Sequence, residues 1–166
     1  MKWVMVTNQR STLQEYRLME NEECKAVMKY NPLHRSARLS CGHLRRLFYI
    51  ESTGSITGKY IFKNEYGMEI GNMTHDKWFG KDGSVTVEST KYAYTIQHIP
   101  KVELTVFNGT SQQQLLSCGF TTDNNPASGS LASSPTADIH INCLLLGLCW
   151  YLLIGVAKDN VVEHAA

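Results

Sequence analysis

The segment from Cys143 to Ala157, CLLLGLCWYLLIGVA, runs for fifteen residues without a charge, and this run limits what the chain can fold into more than any other feature. As a helix it has no polar face, so it must be surrounded on every side by lipid or by protein. Fifteen residues span about 22 Å at 1.5 Å per residue, short of the roughly 30 Å of a bilayer core. His140 and Asn142 make extension towards the N-terminus costly in lipid. Counting from Ile139 gives nineteen residues before Lys158 and a short tail, which keeps a tail-anchored reading open as the alternative. Asp138 or Thr136 can cap the start of the helix, and Lys158 stands at its end where a cation complements the helix dipole.

What precedes the helix reads as strands. From Lys2 to Phe120, apolar and polar residues alternate over short runs, as in Lys101-Val102-Glu103-Leu104-Thr105-Val106, where the three apolar residues share one face. Similar runs are Leu47 to Glu51, Lys59 to Lys63, Met68 to Ile70, Val85 to Val87 and Tyr92 to Ile96. Thr53-Gly54, Asn64-Glu65-Tyr66-Gly67, Lys81-Asp82-Gly83 and Asn108-Gly109 predict hairpin turns between them. Thr12 to Val27 carries Leu13, Tyr16, Leu18 and Met19 but no capping box or sustained apolar stripe that would favour a helix. Thr121 to Ala137 is small, polar and rich in Gly, Pro and Ser, which predicts a loop.

At 166 residues the chain has the length of one domain, 1–166, divided into strands to 120, a polar loop over 121–137 and a helix over 138–158. About ten short strands need something to close around. A curved sheet wrapped about one apolar helix satisfies strands and helix together, so the expected fold is mainly β: a closed antiparallel barrel around a central hydrophobic C-terminal helix.

The Arg46–Glu51 run RLFYIE and the 58–71 run GKYIFKNEYGMEIG, followed by a polar loop and an Asp-led, wholly apolar terminal helix, resemble the superfamily of tubby C-terminal domains, phospholipid scramblases and LURP-one-related proteins. The resemblance is architectural and covers nearly the whole chain. It implies a barrel of about twelve strands with the last helix threaded through it. In the tubby-like branch it implies phosphoinositide recognition by a few basic surface residues, carried over here to a patch rather than to matched positions. The scramblase branch would bring a calcium site of clustered acids before the helix and a palmitoylated cysteine cluster. Here only Asp123 and Asp138 flank the helix and no multi-cysteine cluster is present, which argues against scrambling.

Charge supplies the one local anomaly. Overall it is +1, from sixteen Lys plus Arg against fifteen Asp plus Glu, so no global field draws the protein to nucleic acid. Between Glu23 and Glu51, however, there is no acid, while Lys25, Lys29, Arg35, Arg38, Arg45 and Arg46 supply six cations, with His34 and His43 among them. Read plainly, this is a solvated face balanced by Glu20, Glu22 and Glu23 on neighbouring strands. Read functionally, these six residues are the candidate site for anionic lipid headgroups. Arg45 and Arg46 are adjacent, so without a bulge one of them points inward or sits at a rim.

Catalytic patterns are thin. Cys41-Gly42-His43 is adjacency rather than a spatial pair, and His75-Asp76 reads as a turn. The six histidines have no metal-ligand spacing, and no phosphate loop, nucleophile elbow or dinucleotide fingerprint is present. The expected protein is a non-enzymatic binding module with no cofactor and no metal. Its partners are anionic lipid headgroups or, alternatively, a protein docked on the 74–84 loop through Trp78 and Phe79. The aromatic-basic runs Lys59 to Lys63 and Lys91 to Tyr94 would suit base stacking, but inward aromatics alternating with outward lysines explain them better. Five cysteines, an odd number at unrelated spacings, read as buried reduced thiols, and Met1 to Arg10 lacks a signal-peptide core. The expected location is cytoplasmic, peripheral to a membrane.

Overall fold

A computed structural model describes residues 1–6, 12–53, 59–75, 82–97, 102–109, 113–121 and 143–163. Eleven strands are described: β1 (Lys2–Val6), β2 (Gln14–Glu20), β3 (Glu23–Asn31), β4 (Ser36–Cys41), β5 (Leu44–Thr53), β6 (Lys59–Lys63), β7 (Glu69–His75), β8 (Asp82–Val87), β9 (Thr90–Gln97), β10 (Glu103–Asn108) and β11 (Gln114–Thr121). One helix, α1 (Cys143–Glu163), follows them. Each strand pairs antiparallel with the next, and β1 pairs with β11 to close the barrel. The closing pair is parallel because an odd number of alternating strands leaves first and last running the same way. Lys2, Trp3 and Val4 there face Gly119, Phe120 and Thr121.

Alternation decides what each strand turns inward. Trp3, Tyr16, Leu18, Met28, Leu39, Phe48, Phe62, Tyr94, Leu104 and Val106 are all buried, and no polar or charged residue is buried among the described residues. The 59–63 run behaves as alternation requires, with Tyr60 and Phe62 against the core and Lys63 outside, bridged to Glu51 at 2.6 Å. Thr12 to Val27 is not helical: it forms β2 and most of β3.

Several turns differ from the glycine-based expectation. Asn21 and Glu22, and likewise Glu88 and Ser89, both take positive φ in two-residue hairpins, the type I′ pattern. Asn64 does fix the β6–β7 turn, its side chain accepting from the amides of Tyr66 and Met68 at 3.0 Å. Asp82 and Gly83 are not a turn but the start of β8. Glycine is required at 83 because a Cβ would run into the Thr74 carbonyl and the Tyr94 phenol.

α1 occupies the lumen. From Cys143 to Ile154 every residue is buried except Gly147's neighbour across the turn, Tyr151, which is half-buried. Trp150 meets Tyr16 and Tyr30 edge-on with ring centres at 5.2 and 5.3 Å, and Tyr151 meets Tyr60 at 5.2 Å. Gly147 lies where a Cβ would stand 3.2 Å from both Leu39 and Phe48, and Leu148 reaches the Gly71 position on β7. The helix therefore touches the wall on all sides, which satisfies its lack of a polar face within the protein. Among the described residues no helix is long and apolar enough to cross a membrane.

Two helix details differ from expectation. The helix continues to Glu163, so Lys158 lies inside it and its last turn carries no basic residue. The proposed caps Thr136 and Asp138 lie outside the described residues, as do the polar loop after Thr121 and the docking pair Trp78 and Phe79.

Candidate functional site

The six cations expected to form a patch lie on or beside β3, β4 and β5, and strand parity sorts them. With Ala26, Met28 and Tyr30 inward on β3, and Ala37 and Leu39 inward on β4, Lys29 and Arg38 face outward. They are direct cross-strand partners. Arg38 in turn pairs with Leu47 of β5, and Arg45, two residues before Leu47, pairs with Ser40. Lys29 and Arg38 thus stand side by side, about 5 Å apart, and Arg45 lies one diagonal step, about 8 Å, from Arg38, giving three outward cations over three adjacent strands.

The remaining three do not join it. Lys25 lies at a β2–β3 register shift and is held by Glu23 at 2.5 Å. That hydrogen bond holds its ammonium pKa above the ordinary lysine value. Arg35 occupies the β3–β4 turn with φ of 46°, its carbonyl accepting from the Ile50 amide at 2.8 Å and its guanidinium reaching Ser52 at 3.4 Å. From there its charge pulls down on the phenols of Tyr30 and Tyr151, which burial pushes up. Arg46 shares parity with buried Phe48 and Ile50 yet is exposed, because it stands at the other mouth of the barrel. The register is unbroken there, so the pair Arg45 and Arg46 divides between wall and rim as expected.

The structure adds one cation and changes the counterion. Arg17 on β2 faces outward diagonal to Lys29, since its partner is Val27. It lies outside the acid-free stretch, so the charge run does not single it out; alternation over 14–20 with Tyr16 and Leu18 inward places it on this face. On this face the balancing carboxylate is Glu15, which binds Arg17 at 2.9 Å and Lys29 at 3.8 Å, while Glu20 acts with Glu23 on Lys25. Glu23 serves only Lys25 among the described residues. Arg17 and Lys29 therefore share one carboxylate, and Arg38 and Arg45 have no ion pair among the described residues.

Val27 lies outward between Arg17 and Arg45, and Leu47 and the exposed Tyr49 border the charges on β5. Such a surface can do one kind of chemistry: lay guanidinium forks and an ammonium against anionic oxygens while offering apolar and phenolic contact between them. No group of His, Cys, Asp and Glu that could hold a metal occurs among the described residues. His43 lies exposed in the β4–β5 turn, whereas the Cys41 thiol meets that of Cys143, so the 41–43 triplet is not a thiol-imidazole pair. The side chain of His75 and the whole of Asp76 lie outside what is described.

No protein-family model matches this chain, and no curated protein or solved structure is significantly similar to it.

Proposed function

We propose that this chain is a non-enzymatic binding module of the tubby and LURP-one-related type, acting at the cytoplasmic surface of a membrane, whose β2–β5 wall binds anionic phospholipid, phosphoinositides above all. One observation carries the reading. Lys29 and Arg38 stand directly opposite on neighbouring strands, an arrangement that destabilises a sheet and that an anion laid across the pair would relieve.

Magnitudes fit a reversible contact. Each cation near an anionic leaflet contributes about 1 kcal/mol, so four cations less the Glu15 carboxylate give roughly 3 kcal/mol, an affinity of several millimolar. A headgroup with several phosphates, bound bidentately by Arg38 and Arg45, strengthens this beyond diffuse attraction. Tyr49 and Leu47 suit the interfacial depth where amphipathic rings and aliphatic groups partition.

Flotation of the full-length, detergent-free protein tests the proposal, using neutral and phosphoinositide-containing liposomes over a salt series. Binding is expected to the anionic vesicles alone and to fall with salt, as screening requires. Arg38→Glu with Arg45→Glu should abolish it, while Arg35→Glu, at the end of the barrel, should leave most of it. Unchanged binding in the double variant would refute the assignment.

A further inference from the structure

Four of the five cysteines meet in two pairs, and each pair joins the helix to the wall. The Cys118 thiol of β11 meets that of Cys149 of α1, and the thiol of Cys41, the last residue of β4, meets that of Cys143, the first of α1. The second contact also follows from packing alone. Gly147 lies against Leu39, and α1 runs antiparallel to β4. Stepping from Leu39 to Cys41 advances about 6.6 Å along the strand, and stepping from Gly147 back to Cys143 covers about 6 Å along the helix. Both steps lead to the same mouth of the barrel, so the Leu39–Gly147 contact places the two sulfurs opposite each other. The pairs differ in access: Cys118 and Cys149 are 0% exposed, Cys143 is 5% exposed, and Cys41 is half-buried at the rim.

We propose that Cys41 and Cys143 form an oxidation site, closed to an intramolecular disulfide by hydrogen peroxide, which fastens the entry of the central helix to the barrel wall. The Cys41 thiolate attacks one peroxide oxygen, giving a sulfenic acid and, after protonation of the leaving hydroxide, water. The Cys143 sulfur then attacks the Cys41 sulfur and expels the sulfenic oxygen as a second water. Two thiols lose two electrons and two protons, and one peroxide is reduced to two waters. Access orders the steps, since only Cys41 is open to solvent. Cys143, 5% exposed, is left as the resolving thiol; burial pushes its pKa up to about 12, with Cys41 adding to the shift and Arg46 opposing it, which makes this second attack the slower step. The deeper pair also meets across helix and wall, but at 0% exposure has no path for the oxidant, and acts as an internal control.

Folded full-length protein treated with hydrogen peroxide, alkylated and digested without reductant should yield a peptide joining Cys41 to Cys143. The free-thiol count should fall from five to three, with Cys118 and Cys149 still alkylated after unfolding. The oxidised protein should unfold at a higher temperature than the reduced one, and Cys41→Ala should abolish both the linked peptide and the shift. Cys24→Ser should retain both. A Cys41 that ends as sulfinic acid, or bonded to Cys24 or to a second chain, overturns the proposal, as does a pair that stays reduced while Cys24 oxidises.

Discussion

At the scale of single residues, the basic face sets stability against binding. Because Arg38 stands opposite Lys29, Arg38→Glu replaces a like-charge pair by an opposite one, and the variant should gain about 0.2–1 kcal/mol in urea denaturation. The same change should weaken vesicle binding, so loss of binding in a protein at least as stable as its parent separates function from misfolding. Gly83 makes a purely steric case. A Cβ there meets the Thr74 carbonyl and the Tyr94 ring, and Tyr94 is itself held by its hydrogen bond to that carbonyl at 3.3 Å. Gly83→Ala should therefore cost about 1–3 kcal/mol by overpacking. The sequence marks Gly83 only as a turn signal; that it is a close-approach glycine depends on β7 and β9 lying either side of it.

Among the elements, the helix is the one on which the others depend. Strands alone would leave the inward rings of Tyr16, Tyr30, Phe48 and Phe62 around an unfilled lumen, since a barrel of this strand number is too wide for its wall side chains to fill. Deleting residue 139 onward should therefore abolish cooperative unfolding and near-ultraviolet dichroism; a truncated chain that still unfolds in one sharp transition would show that the wall closes without the helix. A graded version is Leu153→Ala. This side chain is fully buried, and its truncation should cost about 2–5 kcal/mol in denaturant, the usual range for a large core aliphatic.

For the whole molecule, the packed barrel end predicts an alkaline limit. Tyr16 and Tyr151 are both pushed up to about 12 from 10.0, chiefly by burial, with Tyr30 adding at Tyr16 and Tyr60 and Tyr30 adding at Tyr151. The folded state therefore holds these phenolic protons more tightly than the unfolded chain does. Their contribution is fully present below pH 10 and is lost as pH rises towards about 12. Denaturant midpoints should be level between pH 8 and 9.5 and fall between pH 10 and 12, with a smaller fall in Tyr16→Phe. An equal fall in that variant would assign the alkaline loss to other groups.

The large outline is legible in the residues alone, because their strongest signals are local and periodic. Period-two alternation marks which residues of 59–63, 92–96 and 102–106 turn inward, and an apolar run with no polar face demands an enclosure. Hairpin turns were less legible, since Asn21-Glu22 and Glu88-Ser89 reach positive φ without glycine, held there by the pairing of the strands on either side. Which charges and thiols become neighbours is settled by strand register and barrel closure. Of six cations close in sequence, register gathered Lys29, Arg38 and Arg45, sent Arg35 and Arg46 to opposite ends, and brought in Arg17 from a strand outside the acid-free run. Cys41 and Cys143 lie far apart along the chain and meet because a helix inside a barrel touches strands from its whole circumference. Pairing across strands and contact across a lumen are set by register and closure, and neither has a period that one stretch of sequence can display.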